Sequence, residues 1–291
     1  MKWLEITVTT APSAAEAVAD VLFESRGGGI EELATSAGVV RLRAYLPAGP
    51  STAATVDAVR ARLAALPSYG LDAGPATVET AELDEQEWAD AWKLHFRAFP
   101  VGRRLWITPT WDETVPPVGA VVVRLDPGMA FGSGLHPSTQ MCLELLDRRL
   151  RPGDAVLDVG TGSGILAIAA AGLGASRVLA IDADPIAVAV ARANVAHNGV
   201  SERVRVEEGD LLTGVQDTAD LMVANLTADL HVALLPAVRP YLTPRGVVAA
   251  SGIVSSREAD VERTARTAGL ARVQTLRRGE WRCLVLAAGD E

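Results

Sequence analysis

The feature that most constrains the fold is an alternation of short apolar segments with helical segments over residues 155–269. The strand-like segments are AVLDV, RVLAID, RVRVEE, ADLMVAN and GVVAASGI, and the predicted helices fall near 164–173, 185–198, 228–241 and 256–269. Strands that are separated by helices in this way form a parallel sheet covered on both faces. The alternation therefore predicts an α/β domain.

The end of the chain departs from this alternation. ARVQTLRRGEWRCLVLAA is typical of two strands joined by a tight Arg-Gly-Glu turn, which predicts an antiparallel hairpin. Five parallel strands followed by a hairpin favour a class I methyltransferase sheet over a six-stranded, all-parallel dinucleotide fold. The predicted fold is a Rossmann-like, mostly parallel seven-stranded sheet with a C-terminal antiparallel hairpin.

The N-terminal segment has a different order of elements. Its pattern predicts a strand at 3–8, a helix after it, a hairpin over 30–46, a second helix over 51–66 and a weak strand near 76–82. The order β-α-β-β-α-β is that of the ferredoxin-like split unit. We predict a small α+β ferredoxin-like domain over residues 1–82, a linker helix over 83–100 and the α/β domain over 101–291.

Composition limits the environment and the partners. The net charge of −9 argues against a general binder of nucleic-acid backbones and leaves open a basic protein as partner. Cys142 and Cys283 have no metal-site or disulfide-framework spacing, so we expect reduced core thiols and no metal. The N-terminus lacks the apolar core of a signal peptide, and the longest apolar run is too short to span a bilayer. We expect a cytoplasmic protein.

A glycine-rich turn, LDVGTGSGIL, follows the first predicted strand of the α/β domain and opens a helix. Gly160, Gly162 and Gly164 permit a sharp turn and the close approach of a ligand to the helix N-terminus. Asp182 ends the next strand, 22 residues after Gly160 (182 − 160), where an acidic side chain can bind both ribose hydroxyls. A structural turn would use the same glycines, but this acidic residue favours a nucleoside-containing cofactor.

The spacing of the turn discriminates between cofactors. It is G-x-G-x-G rather than the G-x-G-x-x-G usual for NAD, and Asp158 precedes the first glycine. A carboxylate at that place would repel a pyrophosphate and suits a cofactor with a positively charged amino-acid tail. S-adenosylmethionine fits this description, and we expect Asp158, Gly160, Gly162 and Asp182 to bind it.

Two polar residues follow the next strands of the sheet. Asp210 lies just after the third strand, where it either contacts the adenine or serves as a turn aspartate. Asn225 ends the fourth strand, at the carboxyl edge where open α/β sheets bind ligands. We predict that Asp210 and Asn225 bind the cofactor.

The stretch DPGMAFGSGLHPST, residues 126–139, precedes the glycine turn. Together with DVGTGSGILAIAA, IDADP and VANLTAD, in this order, it resembles the PrmA family of bacterial methyltransferases, over nearly the whole chain. The resemblance implies methylation of amino groups of large-subunit ribosomal protein eleven, on lysine side chains or the N-terminal α-amine, with S-adenosylmethionine as cofactor. The cofactor positions of the family fall on Thr139, Gly160, Asp182 and Asn225.

The same stretch suggests how the reaction is organised. We expect Phe131, with Met129, to cover the methionine end of the cofactor and exclude water. Asn225 is the candidate catalytic residue, because its side-chain carbonyl can accept amine hydrogens and aim the lone pair. His136 is either a general base or a structural loop histidine.

Several alternatives remain open. The N-terminal domain grips the protein substrate, or it serves only for dimerisation or stability. The methyl acceptor is the ribosomal protein, another protein lysine or a small-molecule amine. An NAD(P)-dependent oxidoreductase is disfavoured by the glycine spacing, and a non-catalytic binding module by Asp182 and Asn225.

Overall fold

The computed structural model describes residues 2–25, 30–36, 38–49, 52–69, 71–84, 97–125 and 132–288. Contacts between residues divide the chain into two compact units, Met1–Phe96 and Arg97–Glu291. Most of the predicted linker helix over 83–100 lies outside the described residues. Its two ends are strand instead, since one strand continues to Asp84 and another begins at Phe99.

The described residues of the first unit form one four-stranded antiparallel sheet. Its elements are β1 (Lys2–Thr10), α1 (Ala15–Glu24), β2 (Ile30–Ser36), β3 (Val39–Pro47), α2 (Thr52–Ala65) and β4 (Thr77–Asp84). The strand order is β2-β3-β1-β4, so that β3 lies between the two strands joined by α1. This is the split arrangement of a ferredoxin-like domain, and that part of the fold prediction is confirmed.

One face of this sheet forms the core of the first unit. Ile6 and Val8 are fully buried two positions apart on β1, and successive side chains of a strand alternate between its faces. They cluster with Val18 and Leu22 of α1 and with Val59 of α2. Both helices therefore belong to the same hydrophobic cluster as this face of the sheet.

The described residues of the second unit form two sheets. The smaller comprises β5 (Phe99–Val101), β6 (Leu105–Pro109) and β7 (Val121–Leu125). The larger comprises β8 (Ala155–Val159), β9 (Arg177–Asp182), β10 (Val204–Glu208), β11 (Ala219–Asn225), β12 (Leu242–Val254), β13 (Leu270–Arg278) and β14 (Trp281–Ala288). The helices are α3 (Pro137–Arg149), α4 (Ile165–Gly172), α5 (Pro185–His197), α6 (Ala228–Leu234) and α7 (Glu258–Thr267).

The large sheet has the predicted topology. Its order is β10-β9-β8-β11-β12-β14-β13, and its first five strands are parallel. β14 runs antiparallel to both of its neighbours, which confirms the C-terminal hairpin. The chain moves outward from β8 in one direction through β9 and β10, and then returns to the other side of β8 with β11. Open α/β sheets bind ligands at such a switch point, outside the carboxyl ends of the strands.

One helix prediction was too long. The segment near 228–241 is α-helical only to Leu234 and continues as two short 3-10 turns. Pro236 and Pro240 each lack an N–H group and their rings clash with the preceding turn, so a regular α-helix cannot continue.

The residues that the structure describes include no helix long and apolar enough to cross a membrane.

Candidate functional site

The glycine-rich turn joins β8 to α4 at the switch point of the sheet. Gly160, Gly162 and Gly164 have φ values of +74°, +56° and +83°, which residues with a Cβ atom rarely adopt. A Cβ atom at position 160 would overlap Leu226 Cδ2, in the loop that follows β11. Glycine at position 160 therefore suits the left-handed conformation of the turn and leaves room for the side chain of Leu226.

Most of the backbone donors of this turn are already used within the protein. Four N–H groups donate over 2.8–3.0 Å: those of Gly160 and Thr161 to Ile181 O, that of Gly164 to Thr161 O, and that of Gly162 to Asp182 Oδ2. Glycine turns that bind phosphate instead direct such groups at the ligand. This donor set therefore disfavours a cofactor that is bound through a pyrophosphate at the turn.

Asp182 joins the turn to the end of β9. One carboxylate oxygen accepts from Gly162 N at 2.8 Å and the other from Asp184 N at 3.0 Å. The residue is half-buried, and each carboxylate oxygen has a second lone pair for a further donor such as a ribose hydroxyl. Asp184 has a separate role, since its side chain caps α5 by accepting from Ile186 N.

Asp158 lies beneath the turn rather than at its surface. Its side chain is fully buried, and Oδ2 accepts from Thr161 Oγ1 at 2.6 Å and from Ala167 N at 3.1 Å. Among the described residues, Oδ1 has no hydrogen-bond partner. Burial, together with the charge of Asp182, raises the pKa of Asp158 to about 7. These contacts give Asp158 a structural role, and its contact with a cofactor stays a prediction.

The fold brings Thr139 and Asn225 together although they are 86 residues apart. Asn225 Nδ2 donates to Thr139 Oγ1 at 3.0 Å, from the end of β11 to the first turn of α3. On the other side of the amide, a Cβ atom at Gly252 would lie 2.9 Å from Asn225 Oδ1. No described donor contacts Oδ1, which leaves this oxygen as an acceptor at the carboxyl edge of the sheet.

His136 has the structural role that was one of its two alternatives. It is the N-cap of α3, and its Nδ1 accepts from Ser138 N at 3.3 Å and lies 2.7 Å from Ser138 Oγ. Its ring packs edge-on against Trp281, with centroids 4.5 Å apart. Burial lowers the pKa of His136 to about 4, so the ring is neutral at pH 7. These contacts disfavour a general base.

The structure gives less information on two other predicted positions, Asp210 and Phe131. Asp210 is exposed and follows β10, whose Glu208 pairs with Asp182 of β9, so it lies near the same sheet edge. Its carbonyl accepts from Thr213 N in a turn, and a contact with adenine stays a prediction. Phe131, like Met129, lies outside the described residues.

Sequence reasoning missed two buried serines that connect the parts of the site. Ser163 Oγ donates to Gly132 O at 2.7 Å and so joins the glycine turn to the end of the opening stretch. Ser251, on β12, donates from Oγ to Ser138 O at 2.9 Å. A lone serine in a strand or turn has no distinctive sequence pattern, so only the position of Ser163 between two glycines was a signal.

Comparisons with known proteins agree along the length of the chain. The family described as "Ribosomal protein L11 methyltransferase (PrmA)" matches residues 2–288. Ribosomal protein L11 methyltransferases from Pelotomaculum thermopropionicum and Caldanaerobacter subterraneus are each 41% identical, over 97% and 91% of this chain and 97% and 92% of theirs. The crystal structure of ribosomal protein L11 methylase from Lactobacillus delbrueckii subsp. bulgaricus is similar with a TM-score of 0.64 and 34% identity, over 67% of this chain and all of that one.

Proposed function

Because the chain belongs to the ribosomal protein L11 methyltransferase (PrmA) family, we propose that it methylates amino groups of ribosomal protein L11 with S-adenosylmethionine as donor. The acceptor groups would be lysine side chains or the N-terminal α-amine. The observation that carries this proposal is the amide of Asn225, held between Thr139 and Gly252 at the edge of the sheet where the glycine turn and Asp182 also lie.

The cofactor site is proposed from residues at the carboxyl ends of adjacent strands. Asp182 would accept from the ribose hydroxyls, and Gly160 and Gly162 would let the cofactor approach the backbone of the turn closely. Asp210 would contact the adenine. When bound, the cofactor supplies a methyl group already activated by a sulfonium.

The chain's own contribution to the chemistry is alignment of the amine. Asn225 Oδ1 accepts a hydrogen from the neutral amine and so directs its lone pair, while Thr139 holds the amide nitrogen. Good alignment of reacting groups is worth roughly 7–11 kcal/mol of barrier. An ammonium cannot attack, and an apolar surrounding lowers the pKa of the incoming amine toward its neutral form.

No histidine of the described site is assigned as a base. His136 caps α3, and His231 is fully buried with Nε2 2.7 Å from Ser251 O. Burial lowers the pKa of His231 to about 4. We therefore expect the amine to release its proton to water before it is aligned.

Recognition of the protein substrate is proposed for the ferredoxin-like unit. In this proposal residues 1–82 grip L11, residues 83–100 link the domains, and residues 101–291 carry the reaction. The net charge of −9 favours encounter with a basic protein, and a ribosomal protein substrate implies a cytoplasmic location.

The decisive experiment incubates the full chain with labelled S-adenosylmethionine and a mixture of unmodified ribosomal proteins, followed by mass spectrometry. We expect label on amino groups of L11, and roughly a hundredfold slower labelling when Asn225→Ala replaces the wild type. Label on another protein, with L11 unmodified, would instead support a different acceptor. Failure to bind S-adenosylmethionine at all would overturn the proposed function.

A further inference from the structure

Ser251 is fully buried and contacts three segments around Asn225, namely the loop after β11, the helix α6 and the helix α3. It lies directly opposite Asn225 in the pairing of β11 with β12. Its carbonyl accepts from Leu226 N at 3.0 Å, in the loop after β11, and lies 2.7 Å from Nε2 of His231, in α6. The same carbonyl therefore contacts both the loop and the helix. Its hydroxyl donates to Ser138 O at 2.9 Å, across to α3.

The hydroxyl of Ser251 is therefore one of the contacts that hold the first turn of α3 to the sheet, together with the bond between Asn225 and Thr139. Ser138 precedes Thr139, whose Oγ1 accepts from Asn225 Nδ2. The path from Ser251 Oγ through Ser138 and Thr139 to the Asn225 amide consists of two hydrogen bonds and one peptide unit. Each of the two bonds joins segments more than eighty residues apart, so neither is a local feature of a helix or strand.

The residue after Ser251 shapes the other side of the amide. Gly252 has a φ of +83°, and a Cβ atom there would lie 2.9 Å from Asn225 Oδ1 and 2.5 Å from Leu226 O. Oδ1 thus lies close against a backbone that has no side chain. The Asn225 amide therefore lies between Thr139, which follows the residue bound by Ser251, and Gly252, which follows Ser251 itself.

We propose that Ser251 is a positioning residue, which holds the Asn225 amide with its nitrogen on Thr139 and its oxygen toward the methyl acceptor. Ser251 acts through Ser138 and Thr139 and touches neither cofactor nor substrate. The kinetic consequence rests on the proposed methyltransferase function. A shift of about 1 Å in a reacting group can cost up to about a hundredfold in rate, so small changes in this path matter.

The first test follows the amide itself and needs no substrate. Side-chain amide resonances of Asn225 are recorded by nitrogen-15 NMR on the full chain and assigned by their loss in Asn225→Asp. We expect Ser251→Ala and Thr139→Val to shift the resonances and speed their hydrogen exchange. Thr139→Ser, which keeps the hydroxyl, restores the wild-type spectrum. Unchanged Asn225 resonances in Ser251→Ala would overturn the proposal.

The second test separates positioning from loss of stability. Val261→Ala, a buried substitution in α7, serves as the control that destabilises the fold without touching this path. We expect Ser251→Ala to lower kcat about tenfold while the Kd of S-adenosylmethionine changes by less than about threefold. Val261→Ala is expected to leave kcat near the wild-type value.

A double-substitution cycle tests whether Ser251 acts through the Asn225 amide. If Ser251 acts through Asn225, Ser251→Ala has no further effect on kcat when Asn225→Ala is already present. An equal loss of kcat in both backgrounds would contradict that route. If the wild type proved inactive on L11 but the NMR result held, the proposed function would fail and the positioning role would stand.

Discussion

At the scale of single residues, Asp182 illustrates how one carboxylate organises two loops. Its two oxygens accept from Gly162 N and Asp184 N, so the turn after β8 and the turn after β9 share one side chain. An amide in its place has one acceptor oxygen, and its NH₂ group would face one of these N–H donors. An unsatisfied donor costs about 1–3 kcal/mol.

These two hydrogen bonds predict that replacing Asp182 by asparagine strongly weakens cofactor binding. We expect Asp182→Asn to raise the Kd of S-adenosylmethionine about tenfold or more, measured by isothermal titration calorimetry, because it disturbs the turn and the ribose contact together. Asp184→Asn is the matched control, since asparagine is an equally good helix N-cap. Similar affinities for the two variants would contradict the assigned role of Asp182.

The raised pKa of Asp158 predicts that the free energy of unfolding depends on pH. Its pKa is raised from the ordinary value of 3.8 to about 7 in the folded protein, by burial first and the charge of Asp182 also. Between these values the folded protein holds a proton that the unfolded chain has released, so the free energy of unfolding falls as the pH rises through the window.

Asp158→Asn removes this titration and keeps a side-chain oxygen for Thr161 and Ala167. We expect the wild type to lose free energy of unfolding relative to Asp158→Asn as the pH rises from about 4 to about 7, in urea titrations across the window. The lowered pKa values of His136 and His231 make the free energy of unfolding rise with pH, but both histidines are present in the wild type and in the variant. Parallel pH profiles for the two proteins would refute this titration.

At the scale of elements, the turn between β8 and α4 is shaped by its neighbours as well as by its own glycines. A Cβ atom at Gly160 would overlap the side chain of Leu226. Gly199, which follows α5, has a similar φ of +65° but nothing within 4 Å of a Cβ atom. Substitutions at these two glycines therefore differ in whether they disturb the contact with Leu226, while both introduce the same kind of conformational strain.

Gly160→Ala and Gly199→Ala form a matched pair. Both are expected to lower the free energy of unfolding by about 1 kcal/mol through the left-handed conformation. Only Gly160→Ala is expected to weaken binding of S-adenosylmethionine as well, because the new methyl group displaces Leu226 next to Asn225. Thermal unfolding and calorimetry on both variants check this, and equal cofactor affinities would argue against the contact.

At the scale of the whole molecule, the residues assigned to the cofactor site all belong to the second unit, Arg97–Glu291. A chain beginning at Arg97 is expected to bind S-adenosylmethionine within about twofold of the full-length affinity, which also reports that it is folded. It is expected to lose methylation of L11, because substrate recognition is proposed for the first unit. Retained methylation of L11 would favour the alternative in which that unit only stabilises or dimerises the protein.

Much of the fold was predictable from local pattern. The predicted strands AVLDV, RVLAID and ADLMVAN coincide with β8, β9 and β11 at both ends, since buried parallel strands are continuous apolar runs. The helix near 228–241 was predicted too long because its apolar periodicity continues past Pro236. The sequence does not reveal that the side chain of Asp158 is buried beneath the turn and accepts from Thr161 and Ala167, and its contact with a cofactor stays a prediction.

By itself, the sequence determined the order and type of the elements in the four-stranded and seven-stranded sheets, the need for glycine in the turn and the position of polar residues at strand ends. These follow from periodicity and backbone conformation, which depend on neighbouring residues. Only the tertiary structure decided that Asn225 meets Thr139, and that Ser251 meets Ser138 from 113 residues away. Such contacts depend on how helices pack on the sheet and on the register of its strands, which no local pattern specifies.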